Sequence, residues 1–379
     1  MKNTQHIFIL LLIAAITQTA RAQEVYPEGQ AIGWTTLNPT DPFQVQSGLR
    51  YLPGIKFAIP AGNLSIEGEL SADTWFSGTY PVNDSLSFDH TLAPYRAWVK
   101  LSGNQFELRA GLQKINFGSA RMIRPLMWFD RMDPKDPLQL TSGVYGLLGR
   151  YYFLNNANIW AWALYGNNET KGLEIVPSVK NSFEYGGRVQ LPVPIGEIAF
   201  TYHHRNSDPD AMLPPATQTD EPLPENRFAF DTRLNMVVGA WFEGALIRKN
   251  DGILPLDNTT LLNAGLDYTF NLGNGLNISG EGLYYMQGTE AFQADQDVLF
   301  GGVSVNYPLN IIHDLSLMVF MDAMNNEFYR FLNWSMTFDK WTFYTLGFWN
   351  PETYLLPGFE QKANMFSGAG VQFMAVFNH

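Results

Sequence analysis

The chain has no cysteine among its 379 residues. This absence excludes disulfide bonds, metal sites built from thiolates, and lipid attachment at a cysteine that follows a leader peptide. After the N-terminus, no stretch approaches the roughly 18 uninterrupted apolar residues that a transmembrane helix needs. Lysine and arginine are also scarce, with 24 residues against 36 aspartates and glutamates, and the formal charge of −12 argues against a nucleic-acid-binding protein.

Motifs for catalysis and cofactor binding are missing as well. The chain has no glycine-rich phosphate-binding loop and no spacing typical of metal ligands. His203 and His204 are adjacent, so a strand would place their side chains on opposite faces. Neither His90 nor His313 belongs to a recognisable nucleophile pattern. We therefore expect no cofactor, no metal and no enzymatic activity, although a hydrolase assembled from distant strands stays open.

The N-terminus has the layout of a cleaved secretory signal peptide. Lys2 supplies a positive charge, Phe8 to Ile16 form a short apolar stretch, and Ala20-Arg21-Ala22 places small residues before the cleavage point. We predict residues 1–22 as the signal peptide. Residues 23–60 contain several prolines, which cannot donate to a β-ladder. We interpret them as a periplasmic N-terminal segment, in which residues 47–60 could still form a hairpin.

What the chain has in abundance is alternation. From residue 61 onwards, stretches of about ten residues alternate apolar and polar side chains, and the connections between them are largely short and long in turn. Leu64, Ile66 and Leu70, for example, share one face, while Glu67 and Glu69 share the other. A transmembrane barrel needs this pattern, because each strand shows one face to lipid and the other to a wet lumen.

We therefore predict an all-β fold, a transmembrane antiparallel up-and-down β-barrel that occupies residues 61–379. The candidate strands number about 16, and a hairpin within residues 47–60 would raise the count to about 18. A soluble all-β protein is the alternative, since its strands also alternate. Aromatic residues at 14% and 33 glycines favour the membrane barrel, in which Trp and Tyr gather at both interfaces.

Two local patterns predict how individual side chains are oriented. The alternation changes phase after residue 112, because Ile115 and Phe117 have the wrong parity, and we attribute the change to a β-bulge near Lys114. Trp160, Trp162 and Leu164 share one face of a later strand. We expect that face to contact lipid.

One segment resembles a known family. Residues 106–118 read Phe-Glu-Leu-Arg-Ala-Gly-Leu-Gln-Lys-Ile-Asn-Phe-Gly. The run resembles the Arg-x-Gly-x-Gln strand segment of alginate-export-type and phosphate-selective-type porins, with Phe117 where those families often have Trp. The resemblance implies a porin-like outer-membrane β-barrel of Gram-negative bacteria, which acts as a channel for small solutes, phosphate-like anions or acidic sugars.

The resemblance also implies partners. They are outer-membrane lipid, small hydrophilic or anionic solutes, and the outer-membrane assembly machinery, which reads an aromatic residue at the end of the closing strand. Here Phe377 is followed by Asn378 and His379, which departs from a strictly terminal aromatic. The sequence leaves open whether the barrel is a monomer or a homo-oligomer.

Strand parity selects charged side chains for the lumen. The candidate pore-lining residues are Arg96, Arg109, Arg188, Arg205, Arg227, Arg233, Glu107 and Glu184. Arginine suits an anion pathway, because its planar guanidinium binds carboxylate or phosphate through two hydrogen bonds and stays charged. In the alternative interpretation, arginine–carboxylate pairs neutralise the wall. The chain would then be a plugged barrel with a binding or structural role through its external loops.

The long connection 119–142 is the second candidate region. It mixes charged side chains with consecutive large apolar ones at residues 126–129, which a solvated loop rarely needs. We predict that it folds inward and narrows the pore; an external cap and packing against a neighbouring barrel are the alternatives. Its candidate constriction residues are Arg121, Arg124, Trp128, Asp130 and Arg131. The sequence thus predicts a channel of the bacterial outer membrane for passive diffusion of small hydrophilic solutes, with an expected bias to anions.

Overall fold

The computed structural model describes residues 24–40, 43–82, 85–132, 136–211, 221–249, 257–352 and 365–379. The predicted signal peptide, residues 1–22, lies outside the described residues. Apart from one 3-10 turn at Pro209–Ala211, the regular structure in these ranges consists of β-strands. In the described part of the chain, no helix is long and apolar enough to cross a membrane.

The strands, in chain order, are β1 (Glu24–Asn38), β2 (Gln44–Ala61), β3 (Leu64–Val82), β4 (Ser85–Ser102), β5 (Phe106–Gln113), β6 (Val144–Tyr152), β7 (Asn158–Tyr165), β8 (Phe183–Val193), β9 (Gly196–Ser207), β10 (Leu223–Asn235), β11 (Gly239–Lys249), β12 (Asn258–Phe270), β13 (Leu276–Gly288), β14 (Gln296–Pro308), β15 (His313–Asp322), β16 (Glu327–Thr337), β17 (Trp341–Trp349) and β18 (Ala369–Asn378).

These strands form one closed antiparallel sheet of 18 strands. Each strand pairs with its neighbours in the chain, and β1 pairs with β18 to close the barrel. Gly29 and His379 exchange two backbone hydrogen bonds of 3.0 Å at this seam. The N-terminal end of β1 and the C-terminal end of β18 therefore lie at the same rim of the barrel. The prediction of an up-and-down antiparallel barrel is confirmed, with the higher of the two strand counts.

The additional strands come from the segment that the sequence pattern placed outside the barrel. Residues 24–38 and 44–61 form β1 and β2 of the wall rather than a separate periplasmic segment. Proline lacks the backbone N–H that a β-ladder uses, and three of these prolines lie where the ladder is interrupted or where a strand ends. Leu52 and Pro53 make no pair with β3, Pro60 lies at the end of β2, and Pro39 follows the end of β1.

The wall is uneven in height. β2, β3 and β4 have 18, 19 and 18 residues, whereas β5, β6 and β7 have 8, 9 and 8. Pairing between β4 and β5 extends only as far as Ala97 with Leu112, so residues 85–95 of β4 rise beyond β5. The barrel therefore has a tall side and a short side.

The end of β5 explains the change in phase that the sequence shows. Gln113 is fully buried, and its side-chain amide donates to the carbonyls of Arg109 and Gly146 at 3.2 and 2.9 Å. Gly111 has φ +117°, and a Cβ there would lie 2.1 Å from the carbonyl oxygen of Ala97. The chain leaves the wall after Gln113. The predicted bulge near Lys114 is therefore wrong, since the parity break marks the end of the strand.

The two faces of the wall differ in chemistry. Large apolar side chains such as Leu70, Phe183 and Phe200 are exposed on the outer face. Charged and polar side chains such as Arg188 and Thr201 are buried on the inner face. This arrangement is the reverse of a soluble protein and is typical of a barrel whose outer surface contacts lipid.

On β7 the expected orientation is wrong. Trp162 and Leu164 are buried inside the barrel, and the indole nitrogen of Trp162 donates to Nδ1 of His203 on β9 at 3.2 Å. The exposed outer positions of β7 are instead Ile159 and Tyr165. Apolar side chains can face this lumen because another part of the chain packs against them there, as described below.

The burial of Trp162 predicts a large loss of stability on truncation. Trp162→Ala should lower the free energy of unfolding by about 3–5 kcal/mol, since it empties a packed interior site. Trp349→Ala, which removes an exposed tryptophan of the outer face, is the matched control and should cost less. Urea unfolding of the refolded barrel in lipid vesicles measures both values. Equal losses would contradict the inward orientation of Trp162.

Candidate functional site

The lumen is crossed by the connection between β5 and β6, residues 114–143, which we call the inward segment. Its described residues contact side chains of β7 and β9 and also reach β11, β12 and β13. Because β12 lies nearly opposite β5 around the barrel, the segment runs from one wall to the other. The amide of Asn263 on β12 donates to the carbonyl of Ile123 at 2.9 Å and fixes its far end.

Two wall carboxylates hold the segment. Glu243 on β11 accepts hydrogen bonds from the backbone N–H groups of residues 119 and 120, and Glu281 on β13 accepts from those of residues 121, 122 and 123. Successive N–H groups that point to one side form a concave site for an anion. Here the wall supplies the anion from its own side chains, which satisfies donors that would otherwise be unpaired inside the lumen.

The apolar side of the inward segment packs against the wall. Phe117 stacks on Trp162 with ring centroids 6.0 Å apart, and Phe129 meets the ring of His203 edge-on at 4.9 Å. Leu126 and Trp128 are also buried in this cluster. The same cluster continues along the inner faces of β14 to β17 through Phe300, Phe320, Tyr329, Phe331 and Phe348. The lumen thus contains an apolar core, which accounts for the large apolar residues at 126–129.

Several charged side chains of the segment are not part of this core. Lys114 and Arg121 have side chains 39% and 41% exposed, and Arg121 forms an ion pair with Asp267 at 2.7 Å. Arg124 is half-buried and donates to the side-chain oxygen of Asn116. Among the residues that the structure describes, no carboxylate lies within 4.0 Å of Arg124. The inward segment therefore carries cations on the side that remains open to water.

Asp130 is the buried acid of the segment. Its Oδ1 accepts a hydrogen bond from the backbone N–H of Arg131 at 2.8 Å, whereas its Oδ2 has no hydrogen-bond partner among the described residues. Lys114 is 4.0 Å away. Burial raises the pKa of Asp130 to about 6, because the charged form loses its hydration, and the positive charge of Lys114 opposes that rise only in part.

The other two predicted constriction residues, Trp128 and Arg131, contact neighbouring parts of the chain. The indole nitrogen of Trp128 donates to the carbonyl of Pro125 at 3.1 Å, and the guanidinium of Arg227 lies 5.7 Å from the centre of the Trp128 ring. Arg131 donates to Oγ1 of Thr170 at 2.8 Å, in the connection between β7 and β8. Trp128 and Arg131 therefore join the inward segment to β10 and to the next long connection.

Arg205 and Arg227 form a buried ion-pair cluster with two glutamates. Arg205 on β9 donates to both oxygens of Glu225 at 2.7 and 3.1 Å, and Arg227 on β10 lies 2.6 Å from Glu225 and 2.6 Å from Glu174. Both arginines are almost fully buried. These pairs resemble the neutralised wall that the sequence left open as the alternative to an arginine ladder.

Arg188 and Glu184 are paired in the same manner. Arg188 donates to both oxygens of Asp231 at 2.5 and 2.8 Å, and Glu184 lies 3.3 Å from Nε2 of His203. Arg96 is buried too, but it binds neutral oxygens, the side chain and the carbonyl of residue 141 at 2.7 and 3.1 Å. At these positions the charged side chains of the inner wall bind other groups of the protein, which is a structural role.

The remaining predicted pore-lining residues lie at the less crowded end of the lumen. Arg109 is 3.1 Å from Glu107, with its side chain 19% exposed, and Arg233 is 27% exposed. The guanidinium of Arg109 lies 4.6 Å from the ring centre of Trp98. Arg150, which is not among the predicted pore-lining residues, lies 3.9 Å from the ring centre of Trp160 in the same region. The structure therefore divides the predicted set into a packed group and a more accessible group.

Sequence reasoning missed the residues that fix the inward segment. Glu243, Glu281 and Asn263 bind its backbone, and Lys114 contributes to its charged side. Strand parity places the two glutamates in the lumen, but no sequence signal shows that their partners are backbone N–H groups more than 120 residues away. Within the described ranges, no group of three or more His, Asp or Glu side chains is arranged to hold a metal ion.

Comparisons with known proteins establish the fold. No family model matches the chain, and no curated protein matches it. Its barrel is similar to solved structures of outer-membrane porins. OpdL and OpdQ of Pseudomonas aeruginosa are 11% and 9% identical to it, with TM-scores of 0.55 and 0.54. The alignments cover 94% and 95% of this chain and 99% and 98% of theirs.

A third structure gives the same result. OccAB1 of Acinetobacter baumannii is 8% identical, with a TM-score of 0.51, and the alignment covers 94% of this chain and 95% of that one. At this level of identity the likeness concerns the architecture and not individual residues. The chain has a porin-like fold, a closed antiparallel barrel of 18 strands.

The two wall glutamates predict how the segment can be released. The double variant Glu243→Gln/Glu281→Gln should loosen it and raise single-channel conductance, because each lost charge-assisted acceptor costs about 1.5–3 kcal/mol. Glu290→Gln, an exposed glutamate between β13 and β14, is the control and should leave conductance unchanged. A folded double variant with wild-type conductance would show that these carboxylates do not hold the segment.

The raised pKa of Asp130 predicts a pH-dependent stability. Below its ordinary pKa of 3.8 the carboxyl is uncharged in both the folded and the unfolded state and costs no stability. As the pH rises through about 6 the buried carboxyl becomes charged, and the folded state is destabilised. Asp130→Asn should therefore be more stable than the wild type at pH 7.5, by up to about 3 kcal/mol, and the difference should shrink towards pH 4. Thermal unfolding in detergent measures it, with the exposed Asp339→Asn as control. A constant difference across this range would contradict the raised pKa of Asp130.

Proposed function

We propose that the chain is a channel of the outer membrane of a Gram-negative bacterium, through which small hydrophilic solutes diffuse passively with a preference for anions. The porin-like barrel and its apolar outer face support the membrane location. Such a channel needs neither turnover nor cofactor, and the solved structures that the chain resembles are porins rather than enzymes. Outer-membrane lipid and the assembly machinery stay expected partners, and a homo-oligomer stays open.

The charge distribution of the inward segment carries the preference for anions. Its apolar side is packed on the inner face of the wall, while Lys114, Arg121 and Arg124 lie outside the apolar core. The one buried acid of the described segment, Asp130, has a pKa raised to about 6 and so loses much of its charge in mildly acidic medium. A solute that passes the segment therefore meets cations at the point where the lumen is most obstructed.

The more accessible end of the lumen supplies further weak sites. Arg109 and Arg150 each lie over the ring of a tryptophan, Trp98 and Trp160, at 4.6 and 3.9 Å from the ring centre. Glu107 lies near both arginines, at 3.1 and 3.7 Å, and limits how tightly an anion would bind. Several weak sites in series allow an anion to enter and still leave.

A second candidate function follows from the apolar core of the lumen. The buried cluster extends from the inward segment along β14 to β17, where a wide aqueous pore would have polar side chains. A plugged barrel that acts through its external loops is consistent with this packing. The two functions differ in one observable, the passage of ions.

Planar-bilayer recording of the refolded mature protein tests the proposal. Discrete conductance steps would support the channel, and the reversal potential in a potassium chloride gradient would give its selectivity. A barrel that is folded, as shown by heat-modifiable migration in gels, yet never conducts would favour the plugged alternative.

Removal of the segment's cations should shift the selectivity. Lys114→Gln/Arg124→Gln should lower the anion-to-cation permeability ratio by about twofold or more, because the loss of two fixed positive charges makes the local electrostatic potential less positive. Arg248→Gln removes an exposed arginine at the end of β11 and should leave the ratio unchanged. The same reversal-potential measurement applies to all three proteins. An unchanged ratio in the double variant would refute the role of the segment.

A further inference from the structure

Two cavities at the rim of the long connections share one side chain, Lys171. The larger cavity has a volume of about 600 Å³ and lies against the tall β2–β4 wall. The smaller has a volume of about 40 Å³ and lies between the connection 166–182 and β9 to β13. Lys171 belongs to that connection and lines both cavities. It therefore lies between a larger space and a smaller one.

The positive charge of the Lys171 ammonium group is balanced by few contacts. The residue is 7% exposed, and its Nζ donates one described hydrogen bond, to the carbonyl of Glu169 at 3.1 Å. In the part of the chain that the structure describes, no carboxylate oxygen lies within 4.0 Å of this nitrogen. Burial lowers the pKa of Lys171, although nearby glutamates oppose the change. An ammonium group with three donors has more hydrogen-bonding capacity than these contacts use.

The smaller cavity has an excess of positive charge in its wall. Its charged lining residues are Lys171, Arg205, Arg227, Lys249, Glu174 and Glu225. The two glutamates are shared between the two arginines, and Lys249 is no closer than 4.0 Å to Glu225. Outside this lining, Glu169 and Glu184 act on the charge of Lys171, and Glu184 is bound to His203. Buried cations without matching anions are costly, so this cavity favours an anionic occupant.

The sizes of the cavities indicate what that occupant is. The small cavity has room only for a compact group, whereas the volume of the larger one lies within the range of about 300–1,000 Å³ typical of ligand pockets. The larger cavity also offers neutral hydrogen-bonding groups, from Tyr95, Asn167 and Asn168. Its charged lining residues are Arg50, Arg131 and Lys171 together with Asp73, Asp136 and Glu169, and Arg50 is paired with Asp73, so the cations that face this cavity are Lys171 and Arg131. An organic molecule with one oxyanion group fits this combination.

We propose that Lys171 is the centre of an oxyanion-binding site, in which the carboxylate or phosphate group of a small solute contacts the ammonium and the body of the solute occupies the larger cavity. The inference rests on the proposed anion preference of the channel and deepens it. The site would capture an anion at the rim of the long connections before it reaches the inward segment.

Isothermal titration calorimetry of the detergent-solubilised mature protein tests the site directly. The probes are sodium succinate, inorganic phosphate and, as a neutral control, glucose. We expect succinate to bind, and Lys171→Met to weaken it by at least about tenfold, which corresponds to about 1.4 kcal/mol. Lys180→Met is the matched control, because it removes an exposed lysine of the same connection, and should bind as the wild type does.

A second variant separates the two kinds of oxyanion and avoids any folding defect at a buried position. Asn168 is exposed and lines the larger cavity, so Asn168→Trp should fill that cavity. Succinate should then bind weakly, while phosphate, which needs only the space around Lys171, should still bind. Binding of phosphate but not of succinate to the wild type would assign the site to inorganic phosphate.

Several outcomes would overturn the site. They are a wild type that binds neither oxyanion, a Lys171→Met variant that binds as the wild type does, and equal binding of glucose. Because binding is measured without ion flow, the two proposals fail separately. A protein that conducts but does not bind would refute this site alone, and one that binds but never conducts would refute the channel.

Discussion

The arrangement inside the barrel depends on the hydrogen bonds that Glu243 and Glu281 accept from the backbone of the inward segment. A chain that enters a lumen loses the water that would satisfy its N–H groups, and an unpaired buried donor is costly. The two carboxylates solve this problem at the far wall, with five donors shared between them. Once the backbone is held there, one side of the segment must contact β7 to β13 and the other must face the remaining space. The position of the apolar core and that of the cations follow from the same contacts.

The arginines of the inner wall have two different environments, and this difference bears on what each contributes. Arg188, Arg205 and Arg227 are paired with carboxylates in a packed interior, where the removal of one partner would leave an uncompensated charge. Arg109 is more accessible and lies on an aromatic ring. Buried pairs of the first kind fix the positions of strands and connections. Accessible guanidinium groups of the second kind keep the capacity to exchange one anion for another.

The architecture was predictable from the sequence because a barrel wall repeats one simple rule along every strand. Alternation set the antiparallel barrel and the inward parity of Arg96 and Arg188, both of which are buried. The rule failed where a second layer entered. Trp162 and Leu164 face inward because Phe117 and Phe129 supply an apolar partner in the lumen, which a strand pattern cannot reveal. Prolines concealed β1 and β2, since the gap in the β2–β3 ladder at Pro53 depends on tertiary pairing. The cavities beside Lys171 likewise arise from connections that meet only in the folded barrel.

The short side of the wall has a consequence for the bilayer. A strand of 8 residues, such as β5 or β7, extends about 26 Å along its axis, and a tilt of about 40° reduces its height to about 20 Å. The apolar band of an outer-membrane barrel is about 25 Å tall. On this side lipid must thin to meet the wall, whereas β2 to β4 impose no such constraint. The barrel is thus expected to tilt relative to the membrane normal and to deform the surrounding lipid asymmetrically. This asymmetry would give it a preferred orientation towards neighbouring proteins.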